Sequence, residues 1–251
     1  MQADVEMCAK LAHEGIGSLY ERVVLREFLH KLVEEKRIAS VLEYDCRVTK
    51  GYDNIPLMAH ADTTVAVASP PEVEQTWPFA SRPQIVGMEE NGSYDLVWSF
   101  AVAQVEPESV ERMRSRSARW VLVFVPNALN WGSPFHRMLH VLTRTPCHHA
   151  EHRQHFALGM AGGVSRLLAS AGVTPERWGY IDKPWLPDIG FSKRELRKLL
   201  GRGAPEAGSS PSPEQLAASV QSLFNFESWR MPRALQALVA HHLYVLGSVT
   251  D

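Results

Sequence analysis

Residues 41 to 51 read VLEYDCRVTKG. Val41 and Leu42 open the stretch as a buried strand does, Glu43 places an acid near its end, and the run closes on Gly51. In nucleotide-binding α/β proteins, a strand of this kind is followed by a glycine-rich turn that lets the backbone approach a ligand. Here the turn carries Asp45 and Arg47 instead of glycines.

Outward from this stretch, apolar periodicity predicts the elements. Residues 18 to 37 read as an amphipathic helix. Leu19, Val23, Leu25, Phe28, Leu29, Leu32 and Val33 form the apolar stripe, with Glu21, Arg26, Lys31 and Glu34 opposite. IASVLEY is the first strand, TVAVA before Pro70 and Pro71 the second, and RPQIVGM the third. YDLVWSF at 94–100 is the fourth, RWVLVFVPN at 119–127 the fifth and most apolar, and RWGYIDKP the sixth. Helices are expected over 107–117, over GGVSRLLASAGV with a stop at Gly172, and near Pro232 to Ala240. The final HLYVLGSV fits either a closing strand or a continuation of the last helix. Apolar strands alternating with helices predict a doubly wound α/β fold with a mostly parallel sheet. Residues 1–37 are assigned to an N-terminal helical segment and 38–251 to the α/β domain. That domain carries an insertion at about 127–157 and a Gly/Pro/Ser-rich flexible loop at about 201–213.

Bulk properties narrow the function classes. The chain has 251 residues, enough for a sizeable core, and a formal net charge of -2 with no basic run, which argues against nucleic acid. Three scattered cysteines form no CxxC pair, as expected of reduced thiols in the cytoplasm. The N-terminus lacks the apolar core of a signal peptide, and no run of about 18 apolar residues suggests a membrane span. There is no GxSxG elbow and no GxxxxGK[ST] phosphate loop.

The order of VLEYDCRVTKG, TVAVAS, GMEENGSYDLVWSF, WVLVFVPN and GGVSRLLASAGV resembles the class I S-adenosylmethionine-dependent methyltransferases, over roughly residues 18 to 182. The resemblance implies a Rossmann-like, seven-stranded sheet and S-adenosylmethionine as the cofactor, if the pocket is functional. It also implies which residues line that pocket: Glu43, Tyr44, Asp45, Arg47, Gly51, Ser69, Met88, Glu89, Ser99 and Phe100. Glu43 matches the acid of the family's ExGxGxG turn. Asp45 and Arg47 fall on its first two glycines, and Thr49 or Gly51 on the third. The ribose-binding acid after strand two is replaced by Ala68 or Ser69, with Glu72 one loop later. Met88 stands where an acid near the adenine is expected, with Glu89 and Glu90 just beyond. Tyr94, Asp95, Leu96 and Val97 fit the family's F/Y-D-L-V, and no NPPY-type signature follows.

Three departures in one pocket lead to the expectation of a degraded cofactor site. The chain would then be a non-catalytic or weakly catalytic relative acting through a protein partner, either a competent methyltransferase or a homodimer mate. The alternative is an active methyltransferase on an unidentified small-molecule or protein acceptor. Asn127, Asn130, His136, His140 and His149 are candidate substrate or interface residues, the histidines also as general bases. Cys147, His148, His149, Glu151, His152 and His155 have spacings open to a transition metal. Without a fixed partner motif they read as a solvated polar insertion, and no metal site is assigned. Trp98, Trp131 and Trp185 fit either an aromatic cleft or ordinary packing.

Overall fold

The computed structural model describes residues 16–46, 49, 51–58, 62–69, 82–100, 106–132, 134, 138, 141–142, 156–183, 215, 218 and 231–249. In chain order these form α1 (Ile16–Lys36), β1 (Ser40–Tyr44), a 3-10 turn (Tyr52–Asn54) running into the short α2 (Ile55–Met58), β2 (Thr64–Ser69), β3 (Gln84–Gly87) and β4 (Tyr94–Phe100). Then come α3 (Pro107–Ser115), β5 (Ser117–Pro126), a 3-10 turn (Phe156–Gly159), α4 (Ala161–Ser170), β6 (Val173–Ile181), α5 (Arg233–Val239) and β7 (His242–Val249).

All seven strands join one sheet in the order β3-β2-β1-β4-β5-β7-β6. β1 pairs in parallel with β2 and β4, β2 with β3, and β4 with β5, while β7 runs antiparallel to β5. The expected doubly wound, mostly parallel sheet is therefore present. HLYVLGSV is its closing strand, not a helical extension, because it pairs with β5 residue by residue from Trp120↔Ser248 to Pro126↔His242.

Two compact units partition the chain. One comprises residues 25–128, 150–180 and 242–251; the other comprises 1–24, 129–149 and 181–241. In the first, side chains alternate across the sheet. Leu42, Tyr44, Ala68, Val97, Val121, Val123, Leu243 and Val245 form one buried face with Val110 and Met113 of α3 and Val164 and Leu168 of α4. Trp98 and Phe124 belong to the opposite face and meet edge to face at 6.2 Å. The part of α1 from Leu25 onward covers that face: Phe28 lies 5.5 Å from Phe124 and 4.4 Å from Tyr244. At the amino ends of the strands, Asp95 of the YDLV motif clamps β4 to β1. Its Oδ2 accepts from the Ala39 and Ser40 amides at 2.8 and 3.3 Å, and its own amide donates to Ser40 Oγ at 2.9 Å.

In the second unit, Asn130 Nδ2 donates to the carbonyls of Val239 (3.2 Å) and Ala240 (2.8 Å), and its Oδ1 accepts from the Gly132 amide at 2.7 Å. His241 Nδ1 lies 2.9 Å from Asp182 Oδ2.

The structure revises several sequence expectations. In α1, Tyr20 and Val24 are buried while Val23 is only partly so, and Arg26, assigned to the polar side, is 3% exposed. A helical wheel sorts residues by hydrophobicity and cannot see a buried counter-charge, which Arg26 has in Asp53. The helix before Gly172 ends at Ser170; Gly172 takes φ 76 and Val173 already begins β6. A left-handed glycine ends the helix at little cost. Most of the 127–157 insertion and all of the 201–213 loop lie outside the described residues.

Candidate ligand-binding edge

Parallel pairing carries the carboxyl ends of β1 to β4 to one edge of the sheet. Tyr44 stands beside Ala68, Ser69 beside Gly87, and Phe100 beside Phe124. From β1 the order runs to β2 and β3 on one side and to β4 and β5 on the other. The connections part between β1 and β4, and in open α/β sheets the crevice outside such a switch point is where ligands bind. Glu43, Tyr44, Asp45, Ser69, Ser99 and Phe100 thus come together at this edge, with Gly51 in the turn that follows β1.

Among its described residues, that turn holds two in the left-handed region, Asp45 (φ 63) and Gly51 (φ 78). Glycine adopts this region freely, and aspartate is among the few other residues that tolerate it. Asp45 thus takes a backbone angle open to glycine while carrying a side chain. The Cys46 amide donates to the Ala68 carbonyl at 3.4 Å, tying the turn to β2.

Beneath the turn lies a buried polar network. Glu43 is fully buried. Its Oε1 accepts from Thr49 Oγ1 and its Oε2 from Asn54 Nδ2. Thr49 Oγ1 in turn accepts from the Gly51 amide at 3.2 Å. Asn54 Nδ2 also reaches the Gly51 carbonyl at 3.2 Å, and its Oδ1 accepts from the Trp98 indole at 3.1 Å. Beside it, Arg26 Nε donates to Asp53 Oδ1 at 3.0 Å and Nη2 to the Tyr52 carbonyl at 2.9 Å. The oxygens of Glu43 thus accept hydrogen bonds from within the protein, which satisfies a buried carboxylate.

On the other face, burial pushes the Tyr44 phenol above its ordinary pKa, and a hydrogen bond from Arg112 pulls it partly back. Arg112 also pairs with Glu89, so α3 links the end of β1 to the residues after β3. Met88 is partly buried against the core. Phe100 packs on His242 at 4.7 Å between ring centres, and Asn127 is buried at the end of β5. Asn130 has its amide engaged with the α5 end, as the second unit shows. Arg47, His136, His140, His149 and the His-rich run at 148–155 lie outside the described residues.

The sequence did not single out Asn54, Asp53, Arg26 or His242 for this edge. The YDN run at 52–54 is a visible turn signal, but nothing local marks Arg26, which lies 27 residues from its partner.

No protein-family model matches the sequence, and no curated protein does. Solved structures do match. The plantazolicin methyltransferase BamL, in complex with a triazolic desmethylPZN analog and SAH, is 10% identical with a TM-score of 0.50, over 99% of this chain and 91% of that one. The magnesium protoporphyrin IX methyltransferase ChlM from Synechocystis PCC 6803, with bound SAH, is 11% identical with a TM-score of 0.49, over 92% and 84%. At such identities the likeness to BamL speaks for the fold alone, and with the strand order above it establishes that this chain has a Rossmann-like methyltransferase fold.

Proposed function

We propose that this chain is a methyltransferase-like protein whose S-adenosylmethionine site is weakened, so that it acts mainly by binding a partner protein. The observation that carries the proposal is Asp45 at φ 63, in the turn at the switch point. By the resemblance, a glycine there leaves room for the amino-acid end of S-adenosylmethionine. A carboxylate side chain takes up that room and sets like charge against the cofactor's carboxylate, at a cost on the order of a few kcal/mol. Ser69, partly buried at the end of β2, offers a hydroxyl where the resemblance places a ribose-binding acid.

Partner binding is supported by apolar exposure in the 129–149 segment: Met138 is 49% exposed, Leu142 68% and Val141 76%. Exposed apolar clusters mark interaction surfaces. The proposed partner is a competent methyltransferase or a second copy of this chain. A dimer by light scattering that Val141→Glu splits into monomers identifies the second copy. A monomeric wild type rules that copy out and leaves a different polypeptide.

Calorimetric titration with S-adenosylmethionine tests the weakened site. The expected result is no micromolar binding by the wild type, and a gain of about tenfold or more, roughly 1.4 kcal/mol, when Asp45→Gly and Arg47→Gly are combined. Micromolar binding by the unchanged protein overturns the proposal. It would favour the second reading, an active transferase, for which the left-handed backbone kept at Asp45 and Gly51 speaks.

A further inference from the structure

Arg26 is buried on α1 and reaches the turn behind the strand ends. Its guanidinium spends two separate edges on one short segment: Nε on the Asp53 carboxylate at 3.0 Å and Nη2 on the Tyr52 carbonyl at 2.9 Å. The next residue, Asn54, bonds Glu43, Trp98 and the Gly51 carbonyl. Tyr52, Asp53 and Asn54 are all buried, so the segment has little freedom to shift while these bonds stand. The chain of contacts runs without a gap from α1, through the 3-10 turn, to the acid at the end of β1 and to the centre of β4.

We infer that Arg26 is a positioning residue for the ligand turn: by holding Tyr52 and Asp53 it sets where Asn54 meets Glu43, and through Gly51 it sets the path of the turn at the switch point. Removing the guanidinium takes a charged donor from the buried Asp53 carboxylate and a hydrogen bond from the Tyr52 carbonyl. The carboxylate is relieved by moving toward water, and the 52–54 segment moves with it. Asn54 then withdraws from Glu43 and from the Trp98 indole. Lysine keeps the charge but not the planar fork, so it serves Asp53 or Tyr52 in this geometry and not both. The inference rests on the sheet edge being the ligand site, but its first test needs no ligand.

Native-state hydrogen exchange on the full chain reads the turn directly. In Arg26→Met, the Trp98 indole proton and the Gly51 and Asn54 amides are expected to exchange faster relative to the β4–β5 amides, the ratio rising about tenfold or more. In Arg26→Lys the ratio is expected to return part of the way. A role limited to overall stability would speed all these protons together; an unchanged ratio therefore overturns the inference. If Arg26→Met does not fold, Arg26→Lys decides by the same ratio. In the Asp45→Gly, Arg47→Gly protein, Arg26→Met is further expected to weaken S-adenosylmethionine binding about tenfold. Lack of any binding in that background counts against the proposed cofactor site, while the exchange ratio still decides the role of Arg26.

Discussion

Trp98→Ala is expected to destabilise the protein by about 3–5 kcal/mol, read as a lower urea midpoint in far-UV circular dichroism. Among the described residues Trp98 is the largest fully buried side chain, and it sits in the central strand β4. Two losses combine. The first is a cavity next to Phe124, whose ring meets the indole edge to face at 6.2 Å. The second is the hydrogen bond to Asn54 Oδ1, which leaves a buried amide oxygen without that donor. Trp98→Phe separates the two. It retains most of the apolar bulk and deletes the indole N–H, so its cost should fall to about 1–3 kcal/mol, the range for an unsatisfied buried polar group. Equal losses in both variants would show that the hydrogen bond, not the packing, dominates.

The second large effect concerns the buried ion pair. Asp53→Ala is expected to cost about 3–5 kcal/mol, because the Arg26 guanidinium remains enclosed without its carboxylate. The Arg26 and Asp53 side chains are 4% and 1% exposed, so solvent screening relieves little of this. Replacing both partners by apolar residues, Arg26→Met with Asp53→Leu, removes both charges at once. Most of the stability is then expected to return in the same urea titration, as such pairs often break even against apolar replacements. The exchange ratio of the turn protons should stay raised in that double variant. Stability recovered without turn order would separate the energetic role of the pair from its positioning role. A double variant as unstable as Asp53→Ala would show that apolar replacements do not offset the combined loss of the pair and of the hydrogen bond to the Tyr52 carbonyl.

Legibility in the sequence followed the range of the interactions. The strand runs of β1, β2, β4 and β5 were visible because alternation and short apolar runs are local signals. Their carboxyl ends bring Glu43, Tyr44, Asp45, Ser69, Ser99 and Phe100 to one edge, because parallel strands align their ends. Element boundaries were less visible. β5 begins at Ser117 and β6 at Val173, earlier than the apolar runs suggest, since ladder pairing extends a strand beyond its hydrophobic part. The ambiguity of HLYVLGSV could be resolved only by its partner, because a weakly alternating segment becomes a strand when β5 offers it a ladder.

By itself, then, the sequence determined a doubly wound α/β fold, the end of its first strand and the turn that follows, with Asp45 in it. Each of these depends on residues close together in the chain. The tertiary structure alone decided what the charges in and around that turn do. Glu43 is sealed by Thr49 and Asn54, Asp45 takes a glycine-like backbone angle, and Arg26 leaves the polar face of its helix to meet Asp53. The physical reason is that burying a charged or polar group is costly without a partner in place, and the partners here are brought together by folding: Arg26 and Asp53 across 27 residues, Trp98 and Asn54 across 44.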